Sequence, residues 1–244
     1  MEVLIVGAGA MGRWIGGAVD ATPVFTDLDE AAAAAAVEAV GGRTAAPDEQ
    51  YEVVCIAVPM SAAEATITKY ADRATAAIID VTGAMAGPVD AMRTHAPELE
   101  RVSFHPLFAP ENAPGNVAVV PDNTGPVTDE LRADLTAAGN DLFETTPDEH
   151  DEAMNTVQAS AHAAVLAYAL ATDDVPDRFQ TPVSGGLEEL VEQVTGNTPA
   201  VYSEIQSTFD GAEDVAAAAR RIAEADDEAF ERLYRAAERT TTDD

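Results

Sequence analysis

The sequence predicts an α/β protein in two parts, a doubly wound parallel β-sheet followed by an all-helical domain. Three observations lead to this fold class. Short β-rich apolar runs alternate with helical stretches over residues 1–146, which is typical of a parallel sheet covered by helices. After residue 146 only helical stretches follow. A glycine cluster separates the first predicted strand from the first predicted helix.

Each element follows from hydrophobic pattern and turn residues. In the first part we predict strands at 3–6, 24–26, 52–58, 76–81, 102–104 and 117–120, and helices at 10–20, 29–40 and 61–73. In the second part we predict helices at 148–172, 186–194, 200–209 and 210–238. The predicted domains are therefore 1–146 and 147–239, with a frayed tail at 240–244.

Charge and composition exclude several classes of partner. Aspartate and glutamate total 44 against 13 basic residues, a formal net charge of -31, so the surface repels nucleic acid and anionic lipid. The dispersed acidic residues resemble those of halophile proteins, which work where salt screens charge within about 3 Å. No apolar run reaches the roughly 18 residues of a membrane span, and no leader precedes the first strand, so we expect a cytoplasmic protein. The single cysteine, Cys55, is expected in the core, and no metal site is expected.

The glycine cluster Gly7-Ala8-Gly9-Ala10-Met11-Gly12 has the spacing of a Rossmann dinucleotide-binding turn. Gly7 permits the tight turn, Gly9 lets the backbone approach a diphosphate, and Gly12 lets the helix pack on the strand. The helix N-terminus then offers free N–H groups to the phosphates. Gly7, Gly9, Ala10, Met11 and Gly12 are therefore the predicted cofactor-binding residues of this turn.

The identity of the cofactor follows from the end of the second strand. Asp27 stands twenty residues after Gly7, where a carboxylate accepts hydrogen bonds from ribose hydroxyls and repels a 2′-phosphate, so NAD is favoured over NADP. The alternative is a glycine turn with a solvated Asp27. Val58 and Pro59 end the third predicted strand and are expected at the same cofactor-binding edge of the sheet.

Two segments that contain histidines are candidates for the catalytic site. Residues 103–110 read Ser-Phe-His-Pro-Leu-Phe-Ala-Pro, and residues 150–154 read His-Asp-Glu-Ala-Met and run on to Gln158 and His162. Together with the glycine turn, Ala-Val-Pro at 57–59 and Asp-Val-Thr at 80–82, these segments resemble the prephenate and arogenate dehydrogenases of tyrosine biosynthesis. The resemblance covers nearly the whole chain and includes 181–182 and 199–205.

The resemblance implies an NAD-dependent oxidative decarboxylation of prephenate to 4-hydroxyphenylpyruvate. His105 is the expected base, because imidazole titrates near working pH. The other interpretation of His105 is a structural histidine at a strand end. Thr82 is a second candidate catalytic group, because the serine that the family usually carries corresponds here to Gly83.

The resemblance also implies substrate contacts from the helical part, namely His150, Gln158, His162 and Gln193. His150 has an alternative role in the first turn of a helix, and His162 an alternative role as a packed histidine. Positions where relatives often carry arginines are Gly185 and Gln193 here, so another group must bind a substrate carboxylate. The candidates are Arg13, Arg178 and the amide of Gln193.

Two other functions stay open, and one partner is expected. Arogenate, or a related ring acid, is an alternative substrate. A nucleotide-sensing regulator that kept the fold and lost the chemistry is an alternative from another class. Besides a small-molecule substrate, the resemblance implies a homodimer formed through the helical domain, and an apolar stripe that includes Val157, Ala161 and Val165 agrees with this, although an intrachain core is equally compatible.

Overall fold

The structure is a computed structural model that describes residues 1–173 and 175–239. The chain divides into two compact units, Met1–Glu152 and Ala153–Asp244. The domain boundary that we predicted after residue 146 lies shortly before this division. The predicted tail, 240–244, lies outside the described residues.

The first unit is built on one eight-stranded sheet with the spatial order β3-β2-β1-β4-β5-β6-β7-β8. Its strands are β1 (Glu2–Val6), β2 (Thr22–Thr26), β3 (Arg43–Thr44), β4 (Tyr51–Ile56), β5 (Ala74–Asp80), β6 (Glu100–Pro106), β7 (Asn116–Asn123) and β8 (Asp141–Glu144). All six predicted strands are present with small shifts at their ends. The structure adds β3 and β8, which are short and lie at the two edges.

The sheet is parallel except where β7 pairs antiparallel with β6. The strands from β3 to β6 are mutually parallel, and β8 is parallel to β7. The reversal has a physical cause. Residues 107–115 connect β6 to β7 without a crossover helix of the length that parallel pairing requires. The predicted doubly wound sheet is confirmed, with this one strand reversed.

Helices cover both faces of the sheet. The first unit contains α1 (Ala10–Ala18), α2 (Glu30–Val40), α3 (Met60–Tyr70), α4 (Ala86–His95) and α5 (Pro126–Ala137), while α6 (Pro147–Met154) crosses the division between the units. Because side chains alternate along a strand, Ile5 packs in a cluster with Ile15 and Leu131, while Leu4 packs in another with Ile67 and Met92. Residues such as these, in two apolar layers, fix the helices on the sheet.

The second unit is helical throughout its described residues. After a π-helical segment (Asn155–Ser160) it contains α7 (Ala161–Ala171), α8 (Pro182–Thr195), α9 (Pro199–Thr208), α10 (Gly211–Ala223) and α11 (Asp227–Arg239). The predicted helix at 148–172 is thus interrupted by the π-helical segment. The predicted helix at 210–238 is two helices, and Asp226 accepts a hydrogen bond from Ala229 N at the start of the second.

No helix among residues 1–173 and 175–239 has the length and apolar character needed to cross a membrane.

Candidate active site

The glycine turn adopts the geometry that its sequence predicts. Gly7 has φ 105°, and a Cβ there would lie 2.2 Å from the carbonyl oxygen of Ala57. A Cβ on Gly12 would lie 1.9 Å from the carbonyl oxygen of Gly7. Gly9 differs, because no atom lies within 4 Å of the position a Cβ would take. The turn is therefore closed on the protein side at Gly7 and Gly12 and open on the outer side at Gly9.

The first turn of α1 is available to an anion. Gly9 is its N-cap and supplies no side chain, and the first turn contains no acidic residue. Ala10 is exposed and Met11 partly exposed. An uncapped helix N-terminus beside an open glycine fits a diphosphate, because free N–H groups and the positive end of the helix dipole both favour negative charge.

Asp27 lies directly after β2 and is fixed against the glycine turn. Its Oδ2 accepts a hydrogen bond from Ala8 N at 2.7 Å, and its Oδ1 accepts one from Asp29 N at 3.0 Å. Each carboxylate oxygen has a further lone pair, so the group can still accept hydrogen bonds from a ribose. Val58 and Pro59 follow β4 at the same carboxyl edge of the sheet, and Val58 Cγ1 lies 3.2 Å from the Cβ position of Gly7.

His105 lies near the end of β6, at the carboxyl edge of the parallel strands, and is 6% exposed. Its Nδ1 lies 2.8 Å from Nε2 of His150, and Nδ1 of His150 lies 2.7 Å from Oδ1 of Asp151. These three residues all belong to the first unit. The structure thus brings together two histidines that stand 45 positions apart in the sequence.

Asp151 is held in place by the start of α4. Its Oδ1 accepts a hydrogen bond from Met85 N at 3.0 Å and its Oδ2 accepts one from Ala86 N at 3.1 Å. Burial acts to raise the pKa of this carboxyl, but the hydrogen bonds from His150 and from the two amides outweigh it, and the pKa lies below its usual range. Asp151 is therefore ionised at neutral pH.

The charge on Asp151 fixes the protons of both imidazoles. A carboxylate only accepts, so the neutral form of His150 carries its proton on Nδ1 and presents Nε2 as an acceptor. His105 must then donate from Nδ1, which leaves the lone pair on its own Nε2. This second nitrogen lies 3.6 Å from the Cβ position of Gly83. The chain of hydrogen bonds therefore prepares His105 Nε2 to accept a proton.

The protonation state of His105 agrees with this assignment. Burial, and then the neighbouring His150, lower the pKa of His105 to about 3, while Asp151 opposes the shift. The ring is neutral across the physiological range and is available as a base.

Thr82 is buried and used inside the turn after β5. Its hydroxyl interacts with Asp80 Oδ1 at 2.7 Å and with the carbonyl of Ala84 at 3.0 Å, and its N–H donates to the same Asp80 oxygen. Thr82 therefore shapes the turn that leads to Met85. Beside it, a Cβ on Gly83 would lie 2.8 Å from Sδ of Met60, so a thioether occupies the space where a serine side chain would lie.

Asp80 is the unexpected group of this region. It is fully buried, and its register partner on β6 is the equally buried Ser103. Burial raises the pKa of Asp80 to about 6, although the hydrogen bonds from Thr82 oppose the shift. Its signal in the sequence was an acid closing the apolar run Ala-Ala-Ile-Ile.

The remaining predicted substrate residues lie in the second unit. His162 is partly exposed, packs edge-to-face on Tyr202 with ring centroids 4.8 Å apart, and has a buried Nδ1 without a partner among the described residues. Burial lowers its pKa. Gln158 is likewise partly exposed with a buried, unpartnered Oε1, whereas Gln193 on α8 is exposed.

Asp151 was not among the residues predicted from the sequence to act in the site. Its neighbour His150 was expected to touch substrate, but His150 is 3% exposed and contacts His105 instead. The available signal was the acid directly after a histidine, a pair that can orient an imidazole. The hydrogen-bond partners of Asp151, Met85 and Ala86, lie 65 or more positions away in the sequence, so no local pattern predicts them.

A glycine turn opening a helix, a carboxylate after β2 and a buried neutral imidazole at the same sheet edge together define a nucleotide-dependent dehydrogenase. Comparison with known proteins identifies the family. Residues 19–121 match the profile of the prephenate dehydrogenase nucleotide-binding domain. The chain is also 31% identical over 236 residues to a 4-amino-4-deoxyprephenate dehydrogenase from Streptomyces pristinaespiralis, covering 86% of this chain and 78% of the relative. The chain belongs to the prephenate dehydrogenase family.

Solved structures of low sequence identity share the fold. A prephenate dehydrogenase from A. aeolicus, crystallised with hydroxyphenyl propionate and NAD+, has a TM-score of 0.73 at 16% identity and covers 100% of this chain and 98% of its own. An arogenate dehydrogenase from Synechocystis has a TM-score of 0.68 at 16% identity with the same coverage. The two-part architecture predicted from the sequence is thus confirmed.

Proposed function

We propose that this protein catalyses the NAD-dependent oxidative decarboxylation of prephenate to 4-hydroxyphenylpyruvate. The observation that carries the proposal is the hydrogen-bonded chain from Asp151 through His150 to His105, which leaves His105 Nε2 as a proton acceptor at the carboxyl edge of the sheet. A regulator without chemistry has no need of a base oriented in this way.

The proposed reaction needs one hydride acceptor and one proton acceptor. NAD held by the glycine turn and Asp27 would supply the first, as acceptor of the hydride from the ring carbon that bears the hydroxyl. His105 Nε2 takes the hydroxyl proton, which leaves a ring carbonyl. The ring carboxylate then departs as carbon dioxide, and the electron pair of the broken C–C bond makes the ring aromatic and the carbonyl oxygen a phenolate. The proton on His105 returns to that oxygen.

The residues around His105 lower the cost of holding this proton. When Nε2 becomes protonated, the ring still donates from Nδ1 to His150, and the ionised Asp151 lies at the far end of the chain. The negative charge of Asp151 thereby offsets part of the burial effect that lowers the pKa of His105.

Replacing His105 with Asn tests the assignment. A positioned base contributes about 10²- to 10⁴-fold in rate, so we expect turnover of prephenate to fall by that factor. NADH binding should persist, and energy transfer from Trp14, the only tryptophan in the sequence, can measure it. Turnover like that of the wild type would exclude His105 as the base.

The use of NAD rests on Asp27, whose carboxylate is fixed beside the glycine turn. We expect Asp27→Arg to shift the preference of binding from NADH toward NADPH, because the substitution replaces repulsion of a 2′-phosphate by attraction. An unchanged ratio of the two dissociation constants would show that Asp27 does not contact the ribose.

A second candidate substrate is 4-amino-4-deoxyprephenate. The relative that is 31% identical carries this name, and glycine and a thioether, rather than a hydroxyl, line the space beside His105 Nε2. An amine on the reacting carbon can donate an N–H to the same nitrogen. Side-by-side measurement of kcat/KM on prephenate, arogenate and the amino compound ranks the three.

A homodimer formed through the second unit is part of the proposal. Helix α7 contains only apolar residues and one histidine, yet none of them is buried, and Leu170 is 88% exposed. Phe230 and Tyr234 also form an exposed stripe on α11. A helix that is apolar on all sides is normally buried, so these surfaces favour cover by a second copy.

Light scattering at molar salt tests the dimer. We expect Leu170→Glu to give a monomer, because the substitution places a charge in the proposed interface. Leu28→Glu, at an equally exposed position in the first unit, should not change the mass. A monomeric wild type would exclude the interface.

A further inference from the structure

Arg13 is unlike every other arginine of the first unit. It follows Gly12 in α1 and is exposed, and its guanidinium makes no hydrogen bond or ion pair with any described residue. Each of the other arginines of this unit has a partner, either a carboxylate or backbone carbonyls. These are Arg43 with Glu2 and Glu49, Arg73 with Glu49 and Ala46, Arg93 and Arg101 with Asp122, and Arg132 with Glu144.

The position of this charge costs stability. The N-terminus of a helix carries partial positive charge, so a cation in its first turns is disfavoured. Helix α1 has no acidic residue in its first turn and no capping side chain to compensate Arg13.

The position of Arg13 in α1 directs its side chain toward the open side of the glycine turn. Side chains of a helix lean toward its N-terminus and cover the turn that precedes them. From position 13, this direction leads over Gly9 and Ala10, which are both exposed. Gly9 is also the residue with no atom within 4 Å of its Cβ position.

We infer that Arg13 binds the diphosphate of the dinucleotide, an inference that rests on the proposed use of NAD. A guanidinium donates paired hydrogen bonds to phosphate oxygens. It also offsets the repulsion that a protein of net charge -31 exerts on a doubly negative ligand. The helix N-terminus and Arg13 then act on the same two phosphates, which explains why a cation is placed where the helix alone disfavours one.

Titration of Arg13→Gln with NADH and with NADPH tests this assignment, with energy transfer from Trp14 as the readout. A lost charge-assisted contact to phosphate should raise both dissociation constants by about tenfold. Arg13→Lys should lose less, because it keeps the charge without the fork of donors. The thermal midpoint of Arg13→Gln should stay unchanged or rise, since the repulsion with the helix end disappears, whereas a structural role would lower it.

Arg132→Gln is the matched control, because it removes the same charge from another helix of the same unit. It should leave both dissociation constants unchanged. Unaltered NADH binding by Arg13→Gln, or a loss confined to NADPH, would overturn the diphosphate contact while leaving the proposed function intact. A wild type that binds neither nucleotide would instead overturn the proposed use of NAD.

Discussion

Replacement of His150 by Phe isolates the part of the site that orients the base. The substitution keeps an aromatic ring of similar size in a position that is 3% exposed, and it removes both hydrogen bonds of the imidazole. Asp151 keeps its two bonds from Met85 and Ala86, so the start of α4 remains capped. His105 loses its orienting partner, and Asp151 loses only the bond from His150.

The expected loss follows from the 2.8 Å contact between the two imidazoles. Without it, His105 Nδ1–H becomes a buried donor with no acceptor, which costs about 1–3 kcal/mol. The ring can escape this cost only by moving its proton to Nε2, where it can no longer act as a base. Because either route weakens the reactive form, kcat/KM for prephenate should fall by about 5- to 150-fold.

Initial rates of NADH formation at molar salt measure this effect, with the thermal midpoint as a check of folding. The double variant H105N/H150F should be no slower than H105N alone, because residues that act as a unit are not additive. His95→Phe is the control, since His95 is an exposed histidine hydrogen-bonded to Thr68 Oγ1. A folded H150F variant with the kcat/KM of the wild type would refute the tautomer argument.

Three further predictions concern binding and stability. Gly9→Ala should fold normally, because its Cβ meets no atom, yet bind NADH more weakly, whereas Gly12→Ala should lower the thermal midpoint, because its Cβ overlaps a carbonyl. Asp80→Asn should raise the thermal midpoint near pH 7.5. The pKa of Asp80 in the folded protein is about 6, above the usual 3.8, so ionisation of this carboxyl reduces the free energy of unfolding as pH rises from 3.8 to 6. The reduction is about 3 kcal/mol at most. The difference in thermal midpoint between the two proteins should vanish near pH 4. An equal midpoint for both proteins at every pH would contradict this cost. Finally, the thermal midpoint of the wild type should rise between about 0.2 and 3 M KCl, as salt screens the net charge of -31, and a flat response would argue against adaptation to salt.

The sequence predicted the parts of the fold that depend on local pattern. The apolar run at 3–6 and the glycine turn after it specify a strand, a turn and a helix without help from the rest of the chain. The π-helical segment is different. A Cβ on Gly211 would lie 2.2 Å from the carbonyl oxygen of Asn155, so a glycine more than fifty positions away packs against the widened turn. The two residues are too far apart in the sequence for a local pattern to connect them.

The same distinction applies to the site. His105 and Asp27 were identified because each ends a strand in a recognisable motif. The partners that orient His105 come from α6 and from the start of α4, and only the folded sheet brings these segments together. The contacts of Thr82 were similarly out of reach, because only the folded turn shows that its hydroxyl bonds to Asp80.

The short edge strands of the sheet limit self-association of this protein. Strand β3 has two residues and β8 has four, so each edge of the sheet offers few unpaired backbone groups with which another chain could pair. Electrostatic repulsion between molecules weakens as the salt concentration rises, but the length of an edge strand does not change. Protection against edge-to-edge association therefore persists in brines where like charge no longer separates the molecules.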